Sequence, residues 1–184
     1  MGEHVLVYGP PGAGKLTVAR AVADGYGLRL LDNHLTADPV LRLFGFGTAE
    51  FRRLVEQLRV TLLAAAADAG LDVVSTFVYA RGVDDEHLAR LIAASRDHGA
   101  RVTLVQLAPS TAALEARIAA PSRLGTNKVT DRALLRRLMS EYDLRAPATG
   151  DDLIIDNTDL SAEAAAALIA ARAGLAGRRE SLER

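Results

Sequence analysis

The sequence predicts an α/β fold of three layers, a five-stranded parallel sheet held between two layers of helices. Three observations predict it. Apolar runs of strand length alternate with stretches of helical periodicity along nearly the whole chain. The strand-like runs are apolar throughout, the pattern of strands covered on both faces. The first run is joined to the first helical stretch by a glycine-rich turn, Gly9-Pro10-Pro11-Gly12-Ala13-Gly14-Lys15. In such a fold the functional edge lies outside the carboxyl ends of the strands.

The elements follow in order. Residues 4–8 read as a buried strand and 15–23 as a helix. Residues 28–31 form a second strand, ended by the polar break Asp32-Asn33-His34. A helix is expected over 38–44. A longer one is expected over 49–69, with Phe51, Leu54, Val55, Leu58, Leu62 and Ala65 on one stripe. A β-rich run covers 71–78, then come a helix over 84–98, a strand over 101–107 and a helix over 110–119. Residues 121–130 lack apolar periodicity and read as a loop. Helix 131–144, strand 153–155 and helix 161–173 complete one domain spanning 1–176, with a small lid at about 120–131 and a charged tail at 177–184.

Composition narrows the function classes. With 184 residues, 49% of them hydrophobic, the chain can build a real core. A net charge of −1 argues against a duplex nucleic-acid binder. The lack of cysteine excludes a disulfide framework and a thiolate zinc site. The opening residues carry no signal-peptide pattern, and the first strand is too short to span a bilayer. A cytoplasmic protein without membrane partners, monomeric or homodimeric, is the expectation.

The glycine-rich turn carries the chemistry. Gly9, Gly12 and Gly14 let the loop backbone, Pro10 included, curl so that the N–H groups of Ala13 on to Leu16 and Thr17 surround a polyphosphate. The helix N-terminus adds a favourable dipole, and Lys15 brings a mobile positive charge to the β- and γ-phosphates. This pattern predicts binding of ATP or GTP with Mg²⁺. The residue after the lysine should be Ser or Thr, whose hydroxyl meets Mg²⁺; here it is Leu16, followed by Thr17. Either Thr17 serves as the metal ligand through a shifted helix register, or phosphates, water and a carboxylate elsewhere hold the ion. An aspartate is also missing after the third strand, where the chain reads Ser75-Thr76-Phe77 and Asp72 stands at the wrong end. That leaves Asp32 as the second candidate for the metal.

Asp32, just past the second strand, is also the best placed carboxylate to accept a proton from an attacking hydroxyl. The competing reading is that Asp32-Asn33 only makes a turn into the next helix. His34 either orients substrate or is a polar loop residue. Tyr79 and Arg81 leave the third strand where they could contact an acceptor, or lie in a solvated loop. In the lid, Arg123 and Lys128 are candidate cations for the transferred phosphoryl group; an exposed linker is the alternative.

With these pieces assembled, the chain resembles the small P-loop kinases of the shikimate, gluconate and adenylate kinase type. It is also similar to the phosphotransferases that act on chloramphenicol or capuramycin. The resemblance rests on residues 9–17, on 30–34, on Leu114-Glu115-Ala116-Arg117, and on the final Leu153-Ile154-Ile155-Asp156-Asn157-Thr158. It implies that the glycines and Lys15 hold phosphates, that Arg117 and the loop of Asn157 flank the nucleotide, and that Arg123 is a transition-state arginine. Asp32 then matches a substrate-binding or base carboxylate. The reaction implied is transfer of the γ-phosphoryl group to a hydroxyl of a small metabolite or antibiotic, with self-resistance as one biological setting. Two other readings stand beside it. A nucleotide kinase would need several arginines around its acceptor, with Arg42, Arg52, Arg53 and Arg81 available. A non-catalytic nucleotide-binding regulatory module would account for Leu16.

Overall fold

The computed structural model describes residues 1–120 and 129–175. Its sheet has five parallel strands, β1 (Glu3–Tyr8), β2 (Arg29–Leu31), β3 (Val73–Phe77), β4 (Arg101–Leu107) and β5 (Leu153–Ile155), in the order β2-β3-β1-β4-β5. All six residues of β1 are buried. It is the central strand, and its alternating side chains serve both faces. Val5 and Val7 enter one core, with α1 (Lys15–Tyr26), α5 (Thr111–Ile118), α6 (Arg132–Glu141) and α7 (Ala162–Arg172). Leu6 and Tyr8 enter the other, with α3 (Ala49–Asp68) and α4 (Asp85–Arg96). This is the three-layer fold that the apolar runs predict. Among the described residues no helix is long and apolar enough to cross a membrane.

Several bounds shift by two or three residues, and two elements differ more substantially from expectation. Helix α2 spans Asn33–Leu41, five residues ahead of the predicted start. Pro39 reads from sequence as a first-turn residue, yet it stands inside the helix. The start is fixed upstream because the Asp32 carboxylate accepts from the His34 N–H at 2.7 Å, and the Asn33 N–H donates to Thr76 Oγ1 at 3.0 Å. The polar break is therefore a helix cap. On α3 the buried stripe is rotated from the predicted one. Phe51, Val55, Leu63 and Ala67 are buried, while Leu58 and Leu62 are 40% and 46% exposed. The row facing the sheet runs at four-residue spacing, 55-59-63-67, and so turns Arg59 inward.

The register levels the carboxyl edge. Tyr8 pairs with Phe77 on one side and with Gln106 on the other. Leu31 pairs with Ser75, so Asp32 falls level with Thr76. Strand β3 separates β2 from β1, which puts Asp32 and the loop after β1 about 10 Å apart along the edge.

Behind the edge, His4 is fully packed between sheet and helix. Its ring nitrogens meet Ser95 Oγ and Ser75 Oγ, each at 2.7 Å. Burial lowers its pKa to about 4, so the ring is neutral in the fold and charges more readily in the unfolded chain. The stability tied to neutral His4 is complete above pH 6.5 and is lost as pH falls from there through about 4, on the order of 3 kcal/mol in all. Urea unfolding across that window is expected to show a falling midpoint. The fall should be flatter in His4→Gln, which keeps hydrogen-bonding groups but cannot titrate.

Candidate active site

The loop after β1 is shaped by what surrounds it. Gly9 has φ +143°, and a Cβ there would lie 2.5 Å from the Leu107 carbonyl oxygen on the neighbouring strand. Gly12 has φ +86°, and a Cβ would come within 3.0 Å of Ile118 Cγ1 on α5. Only glycine fits either place. The Ala13 N–H closes the turn onto the Pro10 carbonyl at 3.2 Å, and Gly14 caps α1, which begins at Lys15. Gly14 brings no side-chain acceptor to the first turn, nor does that turn contain an acid. Its N–H groups and its dipole are thus directed at an anion. Lys15 folds across the loop and donates to the carbonyl oxygens of Gly9 and Pro10 at 2.9 and 2.8 Å.

The outer wall of the loop is braced by Arg117 and Asn157. Arg117 donates to the carbonyl oxygens of Ala13, Asn157 and Thr158 at 3.3, 2.6 and 3.1 Å. Asn157 Nδ2 donates to the Ala13 oxygen at 2.8 Å. Asn157 is buried, and its Oδ1 has no hydrogen-bond partner among the described residues. A buried acceptor left over beside a phosphate-shaped cradle fits a nucleotide, whose base carries N–H donors.

On the acceptor side, Asp32 lines a notch of about 10 Å³ with Arg59, Ser75, Thr76 and Phe77. That is room for about one water molecule. Asp32 Oδ1 is spent on the helix cap, and Oδ2 makes no hydrogen bond among the described residues. The turn reading of Asp32 and its position on the carboxyl edge are both realised.

Arg59, which the sequence analysis did not single out, donates through Nε to Thr36 Oγ1 at 3.0 Å and through Nη2 to Asn33 Oδ1. Its guanidinium lies 5.7 Å over the Phe77 ring. Burial pulls its pKa down to about 10, against the opposing pull of Glu56 and Asp84. Its signal in the sequence is an arginine set between Val55 and Leu63 on a four-residue row.

Other candidates are turned elsewhere. The His34 ring meets Asp38 at 3.3 Å, one helical turn along, so only its backbone N–H engages Asp32. Tyr79 is buried edge-on against Tyr8 and donates to Asp85 Oδ1 at 2.7 Å. Burial, followed by that bond, raises its pKa to about 12. Arg81 donates to the Pro147 carbonyl oxygen. Neither Tyr79 nor Arg81 lines the notch. Leu16 is half-buried and Thr17 exposed. The register option for Thr17 is closed, because α1 starts at Lys15 without a shift. Arg123, Lys128 and most of the predicted lid lie outside the described residues. Among the described residues no group of three or more His, Cys, Asp or Glu could hold a metal. The loop residues therefore fit a triphosphate and do not fit a metal ion held by a loop hydroxyl.

No family model matches the chain, and no curated protein matches it. Solved structures do. A tunicamycin resistance protein from Deinococcus radiodurans superposes with a TM-score of 0.68 at 18% identity, covering 95% of this chain and 97% of that one. A gluconokinase from Sinorhizobium meliloti 1021 gives 0.65 at 19%, covering 94% of each. A shikimate kinase from Bacteroides thetaiotaomicron gives 0.62 at 20%, covering 94% and 99%. The fold is that of the small P-loop kinases. The likeness covers 94% or more of both chains in each of these pairs.

Replacing Gly9 with Ala forces a Cβ against the carbonyl of Leu107, a residue that β4 holds in register with Ile155 of β5. The variant is expected to lose about 2 kcal/mol or more in urea unfolding, together with its affinity for a triphosphate analogue measured by calorimetry.

Proposed function

We propose that the protein is a kinase that moves the γ-phosphoryl group of ATP or GTP to a hydroxyl of a small molecule. One observation carries the reading: the Lys15 loop and Asp32 stand on the same carboxyl edge, one strand apart, with one Asp32 oxygen left over from the helix cap. In the reaction the acceptor oxygen bonds to the γ-phosphorus as the bond from that phosphorus to the β–γ bridging oxygen breaks. The hydroxyl proton passes to Asp32 Oδ2, and the nucleoside diphosphate leaves with its charge met by Lys15 and the first-turn N–H groups of α1. Asn157 Oδ1 accepts from the base. The structural likeness to a gluconokinase and a shikimate kinase supports a hydroxyl acceptor. The likeness to a tunicamycin resistance protein supports an antibiotic as one acceptor class.

The nucleotide-kinase reading finds less support. Arg42, Arg52 and Arg53 stay on the exposed surface, and Arg81 is held by Pro147. Arg59 is the cation beside Asp32, and a single guanidinium already engaged by Asn33 and Thr36 is a poor phosphate clamp.

Release of nucleoside diphosphate, measured with and without a panel of alcohols and antibiotics, tests the reading. Stimulation by an alcohol is expected, with the phosphorylated product identified by mass spectrometry. Stimulation by nucleoside monophosphates alone selects the nucleotide kinase, and no release under any condition selects the regulatory module. Lys15→Ala is expected to abolish transfer. Asp32→Asn separates the two roles of that residue, because Asn caps a helix as well as Asp does but cannot take the proton. Turnover is expected to fall about 100-fold or more, with nucleotide affinity within a few-fold and the unfolding midpoint unchanged.

A further inference from the structure

We infer that no side chain of the phosphate loop reaches the metal ion that accompanies the triphosphate, so that the ion arrives and leaves on the nucleotide, held by phosphate oxygens and water. The inference rests on the kinase reading above and deepens it. Leu16 occupies the place where a hydroxyl would meet the ion, and its half-buried hydrocarbon offers no ligand atom. Thr17 is rotated roughly 100° further round the helix and is exposed. Because Gly14 caps a helix that starts at Lys15, with the Val18 N–H donating to the Gly14 oxygen at 3.0 Å, no slip of register brings Thr17 into the loop.

Among the described residues the groups near β3 that could replace the hydroxyl are committed elsewhere. Asp32, with one oxygen in the α2 cap, stands one strand and about 10 Å from the loop. Thr76 Oγ1, at the end of β3, accepts from the Asn33 N–H. Asp84 accepts from the Ala80 N–H at 2.8 Å, and Asp85 accepts from the Tyr79 hydroxyl and the Gly82 N–H. Asp72 lies at the opposite end of β3 and accepts from the Glu3 N–H at 2.7 Å. A magnesium ion keeps several waters wherever it binds, so phosphate and water suffice to complete its shell.

The test uses the full chain, a non-hydrolysable triphosphate analogue, and Mn²⁺ as a paramagnetic stand-in for Mg²⁺. Calorimetry is expected to give analogue affinities within about threefold in Mg²⁺ and in chelator. Pulsed electron-spin resonance is expected to count as many metal-bound waters in the protein complex as in the free metal–nucleotide complex. Leu16→Ser restores the hydroxyl. It should displace one water and tighten binding about tenfold in Mg²⁺ only, the size of effect that a single supporting group has at a metal site. Leu16→Thr is the second variant, should serine at that half-buried position impair folding. Thr17→Ala should leave the water count unchanged. A lower count in the unaltered protein, or a count that rises in Thr17→Ala, overturns the inference while leaving the kinase reading intact. Failure of the analogue to bind under any condition overturns both.

Discussion

The space between the carbonyl of Leu107 and the backbone of Gly9 admits a hydrogen and nothing larger. That contact sets the course of the chain as it leaves β1, and much of the site follows from it. The loop must turn inside β4 and α5, which is why Gly12 meets Ile118 and why Ala13 presents its carbonyl to Arg117 and Asn157. An anion site made of backbone amides has no side chains to adjust, so its shape must come from outside it. Here β4, α5 and the turn after β5 supply that shape. All three lie far along the sequence from the one stretch of backbone they shape.

The acceptor edge is organised by a second economy of groups. Asp32 uses one oxygen to close the start of α2, and the residue also lines the notch. Arg59 reaches from α3 to Asn33 and Thr36, tying the first turn of α2 to the neighbouring helix while its guanidinium lies over Phe77. A carboxylate in the cap of a clamped helix has little freedom. Such restriction is what the proposed role of Asp32 as a base would require.

His4 and His87, both buried, stay neutral. Burial takes His4 and His87 each to about 4, and Arg59 and Arg90 push His87 further in the same direction. Lys15 and the amino end of α1 present positive charge at the loop after β1.

The sequence by itself determined the layers, the parallel sheet and the phosphate loop. Each of these follows from local pattern: unbroken apolar runs, helical stripes, and glycines at positions where no side chain fits. Residues 101–107 and 153–155 emerge as strands with the predicted bounds, because apolar strands flanked by turns carry their own limits. Tertiary structure alone decided the start of α2, since the hydroxyl that anchors Asn33 comes from β3, forty-three residues away. It also decided the face of α3. A 3.6-residue period fits more than one stripe of leucines, and only packing on the sheet selects the row that carries Arg59 inward. The partners of Tyr79, Arg81 and His34 were set the same way, by neighbours that are distant in the chain or hidden by a misplaced helix start. A polar side chain announces its chemistry in the sequence, but its direction depends on which neighbour reaches it first.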